Sequence, residues 1–250
     1  MRVTVVGCSG SFPGPVSASS CYLVEVDGFA LVLDLGSGSL GQLQRYLSLR
    51  DLDAVLVSHL HPDHCIDLLS LYVARTYDPS GRHGRLPVYA PGGAAGHLAR
   101  AYGRADEPGL AGCFDFVEWS EGPRQVGPFT VTAARVAHPI ETWAMRVEHD
   151  GRAVAYSGDT GPCDALVEIS RGADLALFES SFEDGRDDAA PADLHLTAGQ
   201  AARHAGLADV RRLVLTHLPP WNDPEVSLAA GRAAFGGPVE LARPGATFEL

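Results

Sequence analysis

Residues 58–64 read Ser-His-Leu-His-Pro-Asp-His, so three imidazoles and a carboxylate crowd into six positions directly after an apolar run at 54–57. Polar groups packed this densely at the end of a buried strand cannot all find ordinary core partners, and burying them unpaired is costly. They need a cation. Alternation puts His59 and His61 on one side of the chain, as a chelating pair requires, while Pro62 ends the strand and the following turn aims Asp63 and His64 at a second point. Two metal positions are implied. Imidazole and carboxylate donors suit zinc, with manganese or iron as competitors.

The rest of the chain must bring more ligands to that strand end, and its pattern is suited to doing so. β-rich runs at 2–7, 21–26, 29–34, 54–58, 86–90, 114–118, 129–136, 143–148, 152–157, 174–178 and 212–216 alternate with helical patterns at 39–48, 65–77, 93–103, 162–171, 198–206 and 224–235. Some helix ends are readable. Pro162 opens one that stops before Gly172, Thr197 and Gln200 form a capping-box pair, and Asp223-Pro224 starts a helix that ends before Gly236.

Two echoes suggest an old duplication. Val24-Glu25-Val26-Asp27-Gly28 precedes an apolar strand ending in Asp34, and Val147-Glu148-His149-Asp150-Gly151 precedes another ending near Asp159; both Asp-Gly pairs read as hairpin turns. Val57-Ser58-His59-Leu60 recurs as Leu215-Thr216-His217-Leu218. Two sheets with helices outside would then pack face to face, with strand ends from both halves meeting at one edge. No linker, low-complexity tract or charge run divides the chain, so residues 1–250 are expected to form a single domain.

Three further candidates sit at strand ends: His138 in Val136-Ala137-His138-Pro139, Asp159 in Ser157-Gly158-Asp159-Thr160-Gly161, and His217. With 59–64 they complete two coordination shells. The set His-Leu-His-Pro-Asp-His, then His138, Ser-Gly-Asp-Thr and Leu-Thr-His resembles the metallo-β-lactamase superfamily over nearly the whole chain. That resemblance implies a four-layer αββα sandwich of two pseudo-symmetric halves. It also implies one metal on His59, His61 and His138, another on Asp63, His64 and His217, and Asp159 bridging them. Asp34 matches the family's early aspartate, which supports the loops of the site. Two cations sharing a water lower its pKa and make it a nucleophile near neutral pH, so the implied reaction is hydrolysis.

Within the superfamily, Phe178-Glu179-Ser180-Ser181-Phe182 followed by Leu194-His195-Leu196-Thr197 resembles the ribonuclease Z-like phosphodiesterase branch. The resemblance implies that His195, oriented by Glu179, stabilises the phosphate and protonates the leaving oxygen. Asp63, His195 and Glu179 are therefore the expected catalytic set. An alkoxide leaving from phosphorus benefits from such a general acid. A thioesterase or lactonase would leave Glu179 and His195 without an evident role.

The likeness stops short of tRNA processing. Enzymes of that kind carry an arm between the positions matching His138 and Asp159, where this chain has only a strand, a turn and a strand. All nineteen basic residues are arginine, against 31 acidic ones, for a formal charge of −12. Without lysine, Schiff-base and P-loop chemistries are excluded, and a long nucleic acid held by electrostatics is disfavoured. The segments Gly7-Cys8-Ser9-Gly10-Ser11, Ala137-His138-Pro139 and His217-Leu218-Pro219-Pro220-Trp221 look most like an atypical bacterial phosphodiesterase of cyclic nucleotides. The expected substrate is a small anionic phosphodiester, 3′,5′-cyclic AMP or cyclic GMP, opened to the 5′-monophosphate. The alternatives are an arm-less ribonuclease and, in another class, a non-catalytic binding sandwich, whose mark would be lost ligands; none is lost here.

Gly7–Gly14 lacks dinucleotide-loop spacing and is expected to line the site mouth; Cys65 and Cys163 are expected to be buried thiols rather than ligands. Trp221 is expected to pack, with base stacking as the alternative, and Arg75, Arg82 and Arg85 to lie on a solvated loop, with phosphate contact as the alternative. No GxSxG elbow points to a serine hydrolase. Five scattered cysteines, no leader and no long apolar run make the expected setting cytoplasmic, with no membrane contact. The family resemblance adds a homodimer as the common assembly of such proteins.

Overall fold

Six strands and four helices come from the first part of the chain. The computed structural model describes residues 1–81, 84–187 and 189–250. In order they are β1 (Arg2–Gly7), β2 (Cys21–Val26), β3 (Phe29–Leu33), α1 (Ser39–Leu43), β4 (Ala54–Leu56), α2 (Pro62–Cys65), α3 (Leu68–Thr76), β5 (Leu86–Ala90), α4 (Ala94–Ala101) and β6 (Phe114–Glu118). The second part gives β7 (Gly122–Val126), β8 (Phe129–Arg135), β9 (Trp143–His149), β10 (Arg152–Tyr156), α5 (Asp164–Ser170), β11 (Leu175–Glu179), α6 (Ala198–Leu207), β12 (Leu213–Thr216), α7 (Pro224–Ala234) and β13 (Val239–Leu241). The last strand, β14 (Thr247–Glu249), returns to the edge of the first sheet beside β1.

The sheet orders are β14-β1-β2-β3-β4-β5-β6 and β13-β12-β11-β10-β9-β8-β7. Read from β14 and from β7, both run through three antiparallel pairs and then three parallel ones. This is the internal twofold. It matches hairpin β2–β3 with β9–β10, and the turn pairs Asp27-Gly28 and Asp150-Gly151 all have positive φ, 49°, 83°, 47° and 73°, as two-residue turns between right-twisted strands require. The other echo falls out of register. β4, which leads to His59, is matched by β11, so β12, which leads to His217, lies one strand further along. Four residues are too few to distinguish shared descent from the common demand for a polar residue after an apolar strand.

The four-layer sandwich is borne out by its three apolar strata. Between the sheets, Val5, Tyr22, Leu33 and Leu56 pack with Val131, Met145, Tyr156 and Leu177. Outside the first sheet, Val32, Val55 and Val88 meet Leu43, Leu71 and Leu98 of the helices; outside the second, Ala155, Phe178 and Leu215 meet Leu166, Ala202 and Leu228. Sheets covered on both faces are why so many strands read as continuous apolar runs.

Several boundaries differ from expectation. β7, β13 and β14 are edge or terminal strands with a single apolar contact face, and β7 (Gly-Pro-Arg-Gln-Val) carries almost no β pattern. β4 ends at Leu56, so Pro62 does not terminate a strand; it opens the short helix α2, and the helix expected over 65–77 forms separately as α3. The capping box at Thr197 and Gln200 and the Asp223 cap both form.

Candidate metal centre

The loop after β4 carries His59 and His61, and α2 carries Asp63 and His64; from the second sheet, His138 follows β8, Asp159 follows β10 and His217 follows β12. All lie at the end of the sandwich where the parallel strands finish. The structure brings His59, His61, His138 and Asp159 into one group and Asp63, His64 and His217 into another, each able to hold a metal ion. His59 and His61 do face one point, though strand alternation is not the cause, since both lie beyond β4. His59 Nε2 is 3.0 Å from His61 Nδ1, which is 3.4 Å from His138 Nε2.

Asp159 spans the two groups. Its Oδ2 is 3.7 Å from His59 Nε2, and its Oδ1 is 3.2 Å from His64 Nε2 and 3.3 Å from His217 Nε2. Asp63 Oδ2 closes the second group at 3.5 Å from His64 and 3.6 Å from His217. Three of these atoms, His64 Nε2, His217 Nε2 and Asp159 Oδ1, are buried without a hydrogen-bond partner. Orphaned buried donors and acceptors are rare in folded proteins, and three aimed at one point fit a cation.

The far ring nitrogens are secured, which fixes the tautomers that a metal requires. His64 Nδ1 donates to Asp34 at 2.7 Å, His138 Nδ1 to the Leu194 carbonyl at 2.9 Å, and His217 Nδ1 to Ser20 Oγ at 2.9 Å. His59 Nδ1 donates to Ser58 Oγ at 3.0 Å, and that hydroxyl donates to Asp34 at 2.8 Å. Asp34, fully buried with φ of 60°, also accepts from the Ser58 amide and from the Tyr156 hydroxyl. The supporting role implied for Asp34 thus has a concrete form. Ser20 and Tyr156 carry no sequence signal, because each acts on a residue more than a hundred positions away.

Two glycines allow the ligand loops to close. A Cβ on Gly36 would run into the carbonyl of Asp63, and one on Gly10 into that of His217. The Gly7–Gly14 segment therefore packs on a ligand residue, and His217 itself has φ of 56°, a strained value its neighbours must hold.

The side chains of the centre respond to burial and to one another's charge. Burial pulls His59 well below the usual histidine range, and it lowers His61 and His138 as well. Burial opposes charge on His64 too, but Asp159 and Asp34 outweigh it and hold that imidazole well above the usual range. Asp159 is held well below the carboxylate range: burial pushes it up, and His217, His64 and His59 overcome that.

Glu179 and His195 form a separate pair beside Asp159. His195 Nδ1 donates to Glu179 Oε1 at 2.8 Å and is 3.9 Å from Asp159 Oδ2. The fully buried Glu179 also accepts from the amides of Thr160 and Ser181, both at 3.0 Å, so its oxygens are already committed. Burial lowers the His195 pKa, but the charge and hydrogen bond of Glu179 outweigh it and raise the value to about 9. Cations in the adjacent shells would bring it down again.

Other candidates fall away from the centre. Cys65 is buried in the outer core and Cys163 caps α5 half-exposed, neither among the ligand groups. Trp221 is 63% exposed rather than packed inside, and its ring lies 5.0 Å from that of Phe12. Arg85 pairs with Asp115 at the surface; Arg75, expected on a solvated loop, is buried on α3; Arg82 lies outside the described residues.

An αββα sandwich with histidine and aspartate clusters able to bind metal at its strand ends defines a metal-dependent hydrolase. A model of the β-lactamase superfamily domain matches residues 31–218, and the chain belongs to that superfamily, in its ribonuclease Z-like branch. An uncharacterized protein of Mycobacterium leprae (strain TN) is 41% identical over 256 residues, covering all of this chain and 89% of that one. The probable metallo-hydrolase YhfI of Bacillus subtilis (strain 168) is 31% identical over the full length of both, and its crystal structure matches with a TM-score of 0.88 at 30% identity, covering 99% of each chain. A ribonuclease Z of Haloferax volcanii is 30% identical in an alignment 304 residues long that spans all of this chain and 95% of that one, so the relative has segments without a counterpart here. Among the described residues no helix is long and apolar enough to cross a membrane.

Proposed function

We propose that the protein is a phosphodiesterase that opens a small phosphodiester, a 3′,5′-cyclic nucleotide, to the 5′-monophosphate with two divalent cations, zinc first and manganese or iron as substitutes. The carrying observation is the His195–Glu179 pair set against Asp159, because hydrolysis of an alkoxide-leaving ester needs a positioned proton donor. His59, His61 and His138 would hold one cation, Asp63, His64 and His217 the other, with Asp159 offering one oxygen to each. Bound there, the cations would polarise phosphoryl oxygens and acidify a water. His195 holds its proton on the nitrogen not tied to Glu179 and delivers it to the leaving oxygen.

Support for a small substrate comes from what surrounds the centre. Between His138 and Asp159 the chain makes only β9, the Asp150-Gly151 turn and β10, leaving no arm to grip a folded RNA. The charge of −12 and the lack of lysine point the same way, while two cations would make the local field attractive to a single phosphate. The relative named ribonuclease Z favours a second reading, cleavage of RNA. Metal-loaded protein should be assayed on 3′,5′-cyclic AMP, cyclic GMP, 2′,3′-cyclic nucleotides, a chromogenic phosphodiester and precursor tRNA. Cleavage of the 3′,5′-cyclic nucleotides is expected; turnover of the tRNA alone would replace this function with the second.

A further inference from the structure

The metal ligands follow the C-terminal end of β4, and a second polar site lies at the opposite end of the same sheet, where parallel β5 and β6 begin. A cavity of about 300 Å³ opens there, with Tyr72, Arg75, Thr76, Gly84, Arg104 and Cys113 in its wall. Arg75 is only 7% exposed. Its guanidinium donates to the carbonyls of Gly84 (2.7 Å) and Leu49 (3.4 Å), and its Nε has no partner. Arg104 reaches the same cavity from the surface, donating to the Tyr72 hydroxyl at 2.7 Å and the Gly109 carbonyl at 3.0 Å, with its guanidinium 5.4 Å from the centre of the Tyr72 ring.

Neither arginine has a carboxylate at ion-pair distance among the described residues, whereas their neighbours Arg85 and Arg100 pair with Asp115 and Asp106 at 3.2 and 2.6 Å. Burying a guanidinium without a counter-charge is costly, and a second guanidinium on the same cavity adds repulsion. The Cys113 thiol beside Arg75 does not supply the missing charge, since burial raises its pKa despite the arginine. In a chain with 31 acidic residues, two arginines left without acids at one cavity indicate an anion from solution.

We propose that this cavity binds a small tetrahedral oxyanion, free phosphate or the phosphoryl group of a monoester, gripped by Arg75 and Arg104 with the Tyr72 and Thr76 hydroxyls on its wall. The guanidinium fork matches a phosphate geometrically, and Tyr72 already orients one of the two forks. The site is separate from the metal centre, so it stands whether or not the proposed hydrolysis does.

Calorimetric titration of the metal-loaded protein with inorganic phosphate, at about 0.15 M salt to screen loose surface binding, tests it. Two classes of phosphate site are expected, one at the metals and one here. Arg104→Glu, a surface change, should abolish the second class or weaken it more than tenfold while leaving hydrolytic activity unchanged, and Arg104→Lys should retain it. Arg75→Met should also lose it, with circular dichroism confirming the fold. Competition by 5′-AMP for the second class would identify a monoester ligand; its failure to compete would identify free phosphate. Phosphate binding at the metals only, or equal binding by wild type and Arg104→Glu, would overturn the proposal.

Discussion

The two halves of the molecule furnish the candidate metal centre in opposite ways. The first supplies four candidate ligands from one stretch of six residues, His59, His61, Asp63 and His64; the second supplies three, His138, Asp159 and His217, from three separate strand ends. Each ligand group nevertheless draws on both halves. The support is crossed as well: Ser20 of the first half holds His217 of the second, and Tyr156 of the second donates to Asp34 of the first. A dense motif can be kept in shape by its own loop, but a dispersed set needs the packed sandwich to align it. The metal centre should therefore act as a clasp between the halves.

The largest loss is expected of Asp159→Ala, which removes the one side chain that lies against both candidate ligand groups. Activity should fall about a thousandfold or more, and elemental analysis should show metal lost from both groups. Loss from one group only would mean that Asp159 does not bridge. Chelation comes next. A cation present at a thousand times its Kd stabilises by about 4 kcal/mol, so its removal should lower Tm by roughly 10 °C. Hydrogen exchange should rise together in the loops at 57–64 and 215–218, and a rise in one loop alone would refute the clasp.

His195→Ala should keep both metals and slow cyclic-nucleotide turnover about a hundredfold to a thousandfold, with a smaller loss on an activated aryl phosphodiester. Equal slowing of both substrates would count against a proton-donor role. Asp34→Asn removes a carboxylate that supports the ligand side chains: metal affinity should fall about 10- to 100-fold, most at the group containing His64. The smallest effect is expected of Tyr156→Phe, which deletes one hydroxyl between the halves and should cost about 1 kcal/mol in chemical denaturation with activity largely kept.

Much of this centre is legible in the sequence because metal ligation needs particular donors, and donors at 59–64 cannot be explained otherwise. The Asp-Gly hairpins are legible for a similar reason, since φ above zero at two adjacent positions leaves few residues to choose from. The edge strands β7, β13 and β14 escape notice because partial burial imposes little pattern on them. Arg75 is misplaced by any reading of local polarity. Its burial depends on the carbonyls of Gly84 and Leu49, which arrive from other elements.

The donor set, the two hairpins that mark the twofold, the helix caps and the absence of lysine chemistry follow from the residues alone. These are local matters, set by the stereochemistry of adjacent residues and the bonding capacity of each side chain. Three things emerge only once the chain has packed: which nitrogen of each imidazole faces inward, that Asp159 offers one oxygen to each group, and that β4 is matched by β11 rather than β12. Those depend on loops beyond the regular strands, where periodicity carries no information and position is fixed by contacts between residues far apart in the chain.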